Sequence, residues 1–494
     1  MNWIVLSSLS ISVVAYCAIA YRIHLRTKVL GDQLPIGKGF EAKVLTASEF
    51  SASTVATTIS LSTVVLAYYE LAPYLGLFLL WSVVTTALGI AVMRMSAPTI
   101  WKRINVYKHR PTLHEFLGTE FRSPGVAIVG AMCTALGFLG AFAVELSVGS
   151  RFLASFLPDI PTWIVIGTLT TVAFAYTAAG GFRAVIVTDV IQMKAIWVMI
   201  LALVAYYVWR ASDIGVITFT RSIPPSIYDF SWREGLLAFL FGIFVINVPT
   251  FVSDMSIWQR ISGSQDPGTV TKGMTRSIAG AAVTWGILAV VACLVPAIVL
   301  PKEGINPLVA LLNEMTTHGT VGAAFLFVVS GGLLAAMLST ASTQLIATTH
   351  TVYEDLVSHR RKHHVDERIT SARELKVSRS ILLGAAIVAV GVVEILGAVG
   401  FSIADLVFAV YGAQLGLFPA VALGLLRSRE ALQDLSRWAM GSIALGFVAG
   451  WGCAGYGKMI GNGDLVFLAP VVSLIASSAV LGMGMMLTKR RVFD

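Results

Sequence analysis

The chain has 494 residues, of which 56% are hydrophobic and 13% are charged, and its mean hydropathy is +0.80. An ordinary soluble domain carries roughly 25% charged residues, so a soluble core could not take up this much apolar side chain. The formal net charge of +8 comes largely from lysine and arginine in short connections between apolar runs, which argues against a nucleic-acid surface and indicates membrane topology.

Apolar runs of about 20 residues, long enough to cross a bilayer, recur along the whole chain. They predict an all-α integral membrane protein with about thirteen transmembrane helices in a single transmembrane domain over residues 1–494. The first run lacks a basic start and a small-residue cleavage site, so we expect a retained span and not a signal peptide. The spans are expected near residues 2–20, 46–70, 73–95, 124–148, 162–180, 186–208, 235–260, 276–299, 321–350, 378–397, 402–426, 436–456 and 464–487.

The basic residues divide unequally between the two sides when these spans alternate in direction. Most of the 35 lysines and arginines fall on one side, mainly in the connections 22–43, 94–122, 260–276, 360–379 and 427–437 and in the tail 489–491. The positive-inside rule then predicts a multi-pass protein of the plasma (inner) membrane with its N-terminus outside and its C-terminus in the cytoplasm. The opposite side holds Arg151, Arg210, Arg221, Arg233, Lys302 and Lys458.

Two spans carry features that interrupt a helix. The second, SASTVATTISLSTVVLAYY, is rich in serine and threonine, and the seventh has Asn247 and Pro249 at mid-depth, where we expect a break or kink. Irregular backbone at that depth persists only where it lines a cavity or is buried in protein. Each interrupted helix heads a group of five spans, which predicts an inverted-repeat transporter. The first repeat would cover 46–208 and the second 235–426, with span 1 and residues 436–487 peripheral.

Hydroxyl groups cluster in the ninth span, GGLLAAMLSTASTQLIATTH, where two helical turns contain Ser339, Thr340, Ser342 and Thr343. Oxygens at one depth suit a monovalent cation that has lost its water. A break in the second span near Ala56 to Ser60 would add free carbonyls at a helix C-terminus, where the dipole also favours a cation. The open alternative is that these hydroxyls only allow close helix packing or bond to carbonyls of their own helix.

Charged residues inside spans are costly and point to function. Asp189 opens the sixth span, where it is either a helix cap or part of a second cation or proton site beside Ser342 and Thr343. Glu145 lies deep in the fourth span and is a candidate to contact a substrate amine. Asp254 and Arg260, near the end of the seventh span, are expected to be interfacial gate or loop residues and not ligands.

Three motifs carry a resemblance to a known family, namely GGFRAVIVTDVIQ (180–192), SDMSIWQRISG (253–263) and LLAAMLSTASTQLIATTHTVYEDL (333–356). Through them the chain resembles the sodium:solute symporter family, to which the solute carrier 5 proteins are related. The resemblance covers nearly the whole chain and implies a LeuT-type fold with a 5+5 inverted repeat, broken helices and sodium as the coupling ion. It further implies a principal sodium site made by the carbonyls of Ala56, Ile59 and Ala336 and the hydroxyls of Ser339 and Thr340. Some members hold a second cation, which here would use Asp189, Ser342 and Thr343.

The expected function is secondary active transport that couples sodium influx to uptake of a small polar organic solute by alternating access, and we expect no enzymatic activity. Substrate contacts are expected from Thr58, Thr63, Glu145 and Asn247, while the polar residues typical of sugar and proline carriers are absent. A proton-coupled carrier of the same fold, or a transporter-like membrane sensor acting through a partner chain, remains the alternative. The lipid bilayer is the expected environment, nucleic acid is not expected as a partner, and a monomer would be sufficient.

Overall fold

Helices make up almost all of the regular structure in the computed structural model, which describes residues 3–36, 45–300, 304–358, 365–399 and 402–493. Lys302 and parts of the basic connections, at 37–44 and 359–364, lie outside the described residues. The first half contains α1 Trp3–His24, α2 Leu30–Gln33, α3 Ala47–Thr58, α4 Ala67–Leu75, α5 Leu80–Ile104, α6 Leu113–Glu120, α7 Pro124–Ala154, α8 Thr162–Ile214, α9 Val216–Arg221, α10 Leu236–Ser253 and α11 Met255–Ser262.

The second half is built in the same way from long helices and short connections. It contains α12 Pro267–Cys293, α13 Pro307–Met315, α14 Gly319–Thr351, α15 Val365–Ile369, α16 Ala372–Val399, α17 Ile403–Gln414, α18 Phe418–Leu426, α19 Arg429–Gln433, α20 Ser436–Met459 and α21 Gly463–Phe493. Two π-helical segments, Leu61–Leu66 before α4 and Val352–Val357 after α14, extend these helices. Short 3₁₀ turns lie at Gly76–Leu79, Pro225–Ile227, Val295–Ala297 and Leu415–Leu417.

Eleven helical segments among the described residues are long and apolar enough to cross a membrane. Two of them, Leu61–Ile104 with 44 residues and Thr162–Ile214 with 53, have about twice the length that one crossing needs. The all-α membrane architecture predicted from composition is therefore confirmed, whereas the count of thirteen helices stays a prediction.

The helix α8 reverses its direction at Gly181, whose φ of 58° and ψ of −148° are not helical. A β-carbon at this position would lie 2.4 Å from the Gln33 carbonyl oxygen, so both the backbone conformation and the space require glycine. The second glycine of the GGFRAVIVTD motif thus makes the reversal. Asp189 lies eight residues beyond it, inside the helix and not at its cap.

The centre of the molecule is α14, in which every residue from Gly332 to Thr351 is buried. A helix that is buried on all sides lies in the core of a bundle and not against lipid. It packs against α8, α7, α1 and α3. The hydroxyl cluster of the ninth predicted span therefore faces other helices.

The helix α3 is held at its start by a capping box, in which the Thr46 side chain accepts from the Glu49 N–H at 3.2 Å and the Glu49 carboxylate accepts from the Thr46 N–H at 2.9 Å. Glu49 also pairs with Arg183 at 2.6 Å, two residues after the reversal at Gly181. These contacts set α3 beside the second half of α8. The side chains of Ser53 and Asp189 consequently meet in the core.

Candidate functional site

The first broken helix lies where the sequence indicated it. The helix α3 ends at Thr58, and Ile59 (φ −93°, ψ 69°) and Ser60 (φ −69°, ψ 143°) leave the helical conformation before the chain resumes at Leu61. The Ile59 N–H still reaches back to the Ala56 carbonyl at 3.2 Å. The Ser60 hydroxyl accepts from the Thr63 N–H at 2.9 Å and so caps the next segment. Irregular backbone is thus present at the depth where a cation would need carbonyl ligands.

Residues of α14 close over this break. The Thr340 hydroxyl donates to the Thr57 carbonyl at 3.1 Å and to the Ala336 carbonyl at 3.3 Å. The Ser339 hydroxyl donates to Asp189 at 2.8 Å. The five residues implied for the principal sodium site are all buried and belong to two elements in contact, namely Ala56, Ile59, Ala336, Ser339 and Thr340. The structure therefore brings the predicted set together, and its role as a ligand set stays a prediction.

The second predicted cation set is only partly assembled. Asp189 accepts hydrogen bonds from Ser53 at 2.5 Å and from Ser339 at 2.8 Å. The Thr343 hydroxyl lies 3.3 Å from that of Thr57. The Ser342 hydroxyl instead donates to the Ser339 carbonyl of its own helix at 3.2 Å. This is the alternative that the sequence left open, in which a hydroxyl bonds within its own helix and binds no cation.

A guanidinium group stands between these oxygens. Arg260 is 1% exposed, and its Nη2 donates to the Thr57 hydroxyl at 2.7 Å and the Thr343 hydroxyl at 3.2 Å. Its Nε donates to Ser53 at 3.0 Å, and Nη2 lies 3.6 Å from the Asp189 carboxylate. The expectation of an interfacial position for Arg260 was wrong. The helix α11, which carries it, is only eight residues long and all of its residues are buried, so it turns the charge inward.

The second broken helix is interrupted later than expected. The helix α10 runs without interruption through Asn247 and Pro249 and ends at Ser253, and the break is Asp254 (φ −82°, ψ 114°). Of the expected break or kink at Asn247 and Pro249, the break was therefore wrong, and the kink stays a prediction. Asp254 supplies the physical reason, because its carboxylate accepts from the N–H groups of Ser256 at 2.6 Å and Ile257 at 3.3 Å and so starts a new helix.

A cavity lies between the two breaks. Three of the four predicted substrate residues, Thr58, Thr63 and Asn247, line it, together with Asp254. The fourth, Glu145, is not among the lining residues. It is fully buried and accepts hydrogen bonds from Ser60 and Ser62 at the first break. Asn247 turns part of its amide away from the cavity, since its nitrogen donates to the Thr85 hydroxyl at 2.9 Å.

The cavity walls combine aromatic rings, hydroxyl groups and one acidic side chain. The described lining contains no lysine, arginine or histidine, and Asp254 is its charged residue. Thr340 and Thr343 also reach the cavity, which links it to the α14 cluster. The aromatic rings in the lining belong to Tyr68, Phe138, Phe239, Phe251, Trp285, Phe408 and Tyr411.

Sequence reasoning missed Arg260, Ser53 and Thr57 as members of the buried cluster. Charge alone could not reveal Arg260, because an arginine near a span end normally reaches the interface. A usable signal was present in the segment DMSIWQRIS, residues 254–262, where Asp254 can cap a new short helix that carries Arg260.

Comparisons with solved structures agree on the architecture. A sodium-coupled sialic acid symporter in a substrate-bound outward-open state matches with a TM-score of 0.71 and 17% identity, covering 97% of this chain and 98% of that one. Mhp1, a nucleobase-cation-symport-1 family transporter, matches at 0.57 and 13%, covering 92% and 95%. MhsT in complex with L-phenylalanine matches at 0.54 and 12%, covering 90% and 99%. At these identities the likeness shows the fold alone.

The fold and the paired breaks define an all-α membrane protein with the LeuT-type fold. The model of the sodium:solute symporter family matches residues 37–431, and the chain belongs to that family. No curated protein matches the sequence significantly. The family resemblance of the three sequence motifs is confirmed, and the structural neighbours and the family are transporters and not enzymes.

Proposed function

We propose that this protein couples sodium entry to the uptake of a small organic solute by alternating access. The observation that carries the proposal is the packing of α14 against the first helix break. There the Thr340 hydroxyl donates to the Thr57 carbonyl, and the neighbouring Ser339 hydroxyl donates to Asp189. Sodium would bind between the carbonyls of Ala56, Ile59 and Ala336 and the hydroxyls of Ser339 and Thr340. Of these residues, Thr340 lines the cavity that would hold the solute.

The energetics are sufficient for accumulation. One positive charge that crosses a potential of 100 mV contributes about 2.3 kcal/mol. A tenfold sodium gradient adds about 1.4 kcal/mol. For this energy to drive uptake, sodium must bind one conformational state more tightly than the other. In the LeuT-type arrangement, the proposed repeats 46–208 and 235–426 would move against each other, with the N-terminus outside and the C-terminus in the cytoplasm.

The second cation set, Asp189 with Ser342 and Thr343, remains a proposal with a specific competitor. The Arg260 guanidinium already lies 3.6 Å from Asp189 and donates to Thr343. A second sodium would have to displace it. We therefore propose that sodium binds at the principal site alone in the described conformation.

The charge of the cavity constrains the solute. Asp254 is the charged residue of the described lining, so a carboxylate or phosphate would meet a like charge there. The positive charge left to compensate such an anion would be the proposed sodium, because Arg260, which lies behind Thr57 and Thr343, is paired with Asp189. We propose a solute without net negative charge that places an apolar or aromatic body against the rings. The sialic acid named for the structural neighbour is therefore not carried over to this chain.

The test is the melting temperature of the detergent-purified protein in sodium against potassium at equal ionic strength. A ligand that binds only the folded state stabilises it, by about 2.7 kcal/mol at one hundred times its Kd. We expect sodium to raise the melting temperature of the wild type and not of Ser339→Ala or Thr340→Ala. Matched controls on the same helix are Ser330→Ala and Thr348→Ala, whose hydroxyls bond to carbonyls of their own helix at 2.6 and 2.8 Å and which should keep the sodium effect.

A wild type that is insensitive to sodium would contradict the proposal. Stabilisation by acid pH in place of sodium would then support the proton-coupled carrier. A protein that binds solute but moves none in sealed vesicles would support the sensor that acts through a partner chain.

A further inference from the structure

A buried carboxyl group lies at the first helix break, outside the proposed sodium set. Glu145, in the second half of α7, is 0% exposed. Its Oε1 accepts hydrogen bonds from the hydroxyls of Ser60 and Ser62, the latter at 2.5 Å. Its Oε2 is buried and has no hydrogen-bond partner. The broken helix thus bonds to one oxygen through two hydroxyls, its Ser62 N–H also bonds to the carboxyl group, and Oε2 has no partner.

No cationic group compensates this carboxyl. Among the described residues, neither α7 nor the helices packed against it place a lysine, arginine or histidine in an ion pair with Glu145. The titratable group within electrostatic reach is the Tyr411 phenol on α17, which is uncharged at neutral pH. Two other buried carboxyl groups of this protein do have a cationic partner. Arg260 lies 3.6 Å from Asp189, and Arg368 lies 3.1 Å from Glu354.

An anion in this environment would have no cationic partner. Moving a carboxylate out of water costs several kcal/mol, and the neutral hydroxyl and N–H donors of the broken helix offset only part of that cost. A neutral acid has no such penalty. Its unpartnered oxygen is then an ordinary carbonyl oxygen, whose burial costs far less than that of a charged one.

We propose that Glu145 is a proton-binding site and that it is the neutral acid in this conformation. The proton resides on Oε1, which then donates to one of the two hydroxyls. Ser60 and Ser62 can rearrange for this because their oxygens are 3.1 Å apart and bond to each other. Ser60 also accepts from the Thr63 N–H at 2.9 Å, so the proton site is joined to the cap of the segment after the break.

The proton site contacts a segment that would move during transport. The link between protonation and transport rests on the proposed function. Ser60 and Ser62 belong to the segment that must rearrange when α3 moves relative to the helix after it. Such a movement withdraws both hydroxyls from Glu145 and admits water from the cavity, which Thr63 lines. The Oε1–H bond then breaks, the proton passes to water and a solvated carboxylate remains. Return of the hydroxyls requires that the carboxylate take up a proton again.

Infrared spectroscopy of the purified protein tests the protonation directly. A neutral carboxyl group has a carbonyl stretching band that a carboxylate lacks. We expect this band in the wild type at neutral pH in sodium, and we expect Glu145→Gln to remove it. The matched control is Glu120→Gln, a second buried glutamate, whose carboxylate is paired with Arg103 and Arg429 at 2.8 and 3.1 Å and whose replacement should leave the band unchanged.

Thermal unfolding of the same samples makes the variant informative even if it folds poorly. Glutamine has the shape of the neutral acid, so Glu145→Gln should melt no lower than the wild type. An identical carboxyl band in both proteins would overturn the proposal. A failure of Glu145→Gln to fold would also overturn it, because glutamine can replace a neutral acid but not a carboxylate on which the fold depends. The sodium-induced shift in melting temperature, measured in parallel, tests the symporter proposal separately, since Glu145 can be protonated whether or not sodium binds.

Discussion

The Nη2 atom of Arg260 lies 3.6 Å from Oδ2 of Asp189, and both side chains are almost completely buried. The pair joins α11, which follows the second helix break, to α8. Through Ser53 and Thr57 it also holds α3, which precedes the first break. The two broken helices are therefore connected by one buried charge.

Removal of the arginine should be costly. Arg260→Met leaves Asp189 buried without its positive partner, and we expect a loss of about 3–5 kcal/mol of folding free energy, seen as a strongly lowered melting temperature. Asp189→Asn added to the same protein should recover part of that loss, because the unpaired charge is then gone. The control is Arg122→Met, which breaks an exposed pair with Glu430 at the same 3.6 Å and an exposed hydrogen bond to Gln433, and it should cost at most about 1 kcal/mol. Equal effects of the two arginine substitutions would contradict the buried ion pair.

The reversal at Gly181 predicts a sharp contrast between two glycines of α8. Gly181→Ala places a β-carbon against the Gln33 carbonyl and forces a positive φ, so it should destabilise the protein by more than about 1 kcal/mol. Gly167→Ala meets no atom within 4 Å in a regular part of the helix and should stabilise it by up to about 1 kcal/mol. Melting temperatures of the two variants against the wild type check this, and a neutral Gly181→Ala would refute the required conformation.

The charge of the cavity predicts a selectivity that Asp254 controls. Asp254→Asn keeps a side-chain oxygen for the N–H groups of Ser256 and Ile257, so α11 should remain capped and the protein folded. We expect the variant to bind benzylammonium at least about tenfold more weakly than the wild type, because it lacks the carboxylate that attracts an amine, and we expect it to bind benzyl alcohol equally well.

Phenylacetate should bind neither protein, and calorimetric titration in sodium gives all three affinities. Asp266→Asn is the control, since Asp266 caps α12 through Thr269 in the same way but lies outside the cavity. Tight binding of phenylacetate to the wild type would contradict the proposed exclusion of anions.

The cap of α12 predicts a pH dependence outside the membrane spans. Hydrogen bonds from the Thr269 hydroxyl at 2.7 Å and its N–H at 2.9 Å lower the pKa of Asp266. A group with a lowered pKa in the folded state stabilises the fold above its unfolded pKa, about 3.9, and this contribution is lost as pH falls through the folded value. Because Asp266 is the N-cap of α12, Asp266→Ala should cost about 1 kcal/mol near neutral pH. Melting curves should show the difference from wild type shrinking below about pH 4, and a difference that grows on acidification would show the opposite sign.

Much of the architecture was predictable because it depends on local and one-dimensional properties. Long apolar runs require helices in a bilayer, since every backbone N–H and C=O must be bonded within the segment. The serine- and threonine-rich segment around Ala56 to Ser60 indicated the first break, and the motif of α14 indicated the hydroxyls that meet it. These features need only the sequence of one segment and the solvent around it.

The tertiary structure decided where the charges lie. Pro249 gave a local reason for a break, yet α10 continues past it, because neighbouring helices can support a proline within a helix and Asp254 starts a new one. Arg260 and Asp189 are 71 positions apart in the sequence, and Glu145 is 85 from Ser60. Which buried charge receives a partner depends on how the helices pack around α14. A sequence pattern shows that a charge is inside the membrane, but only the packed structure shows whether a guanidinium or a pair of hydroxyls meets it there.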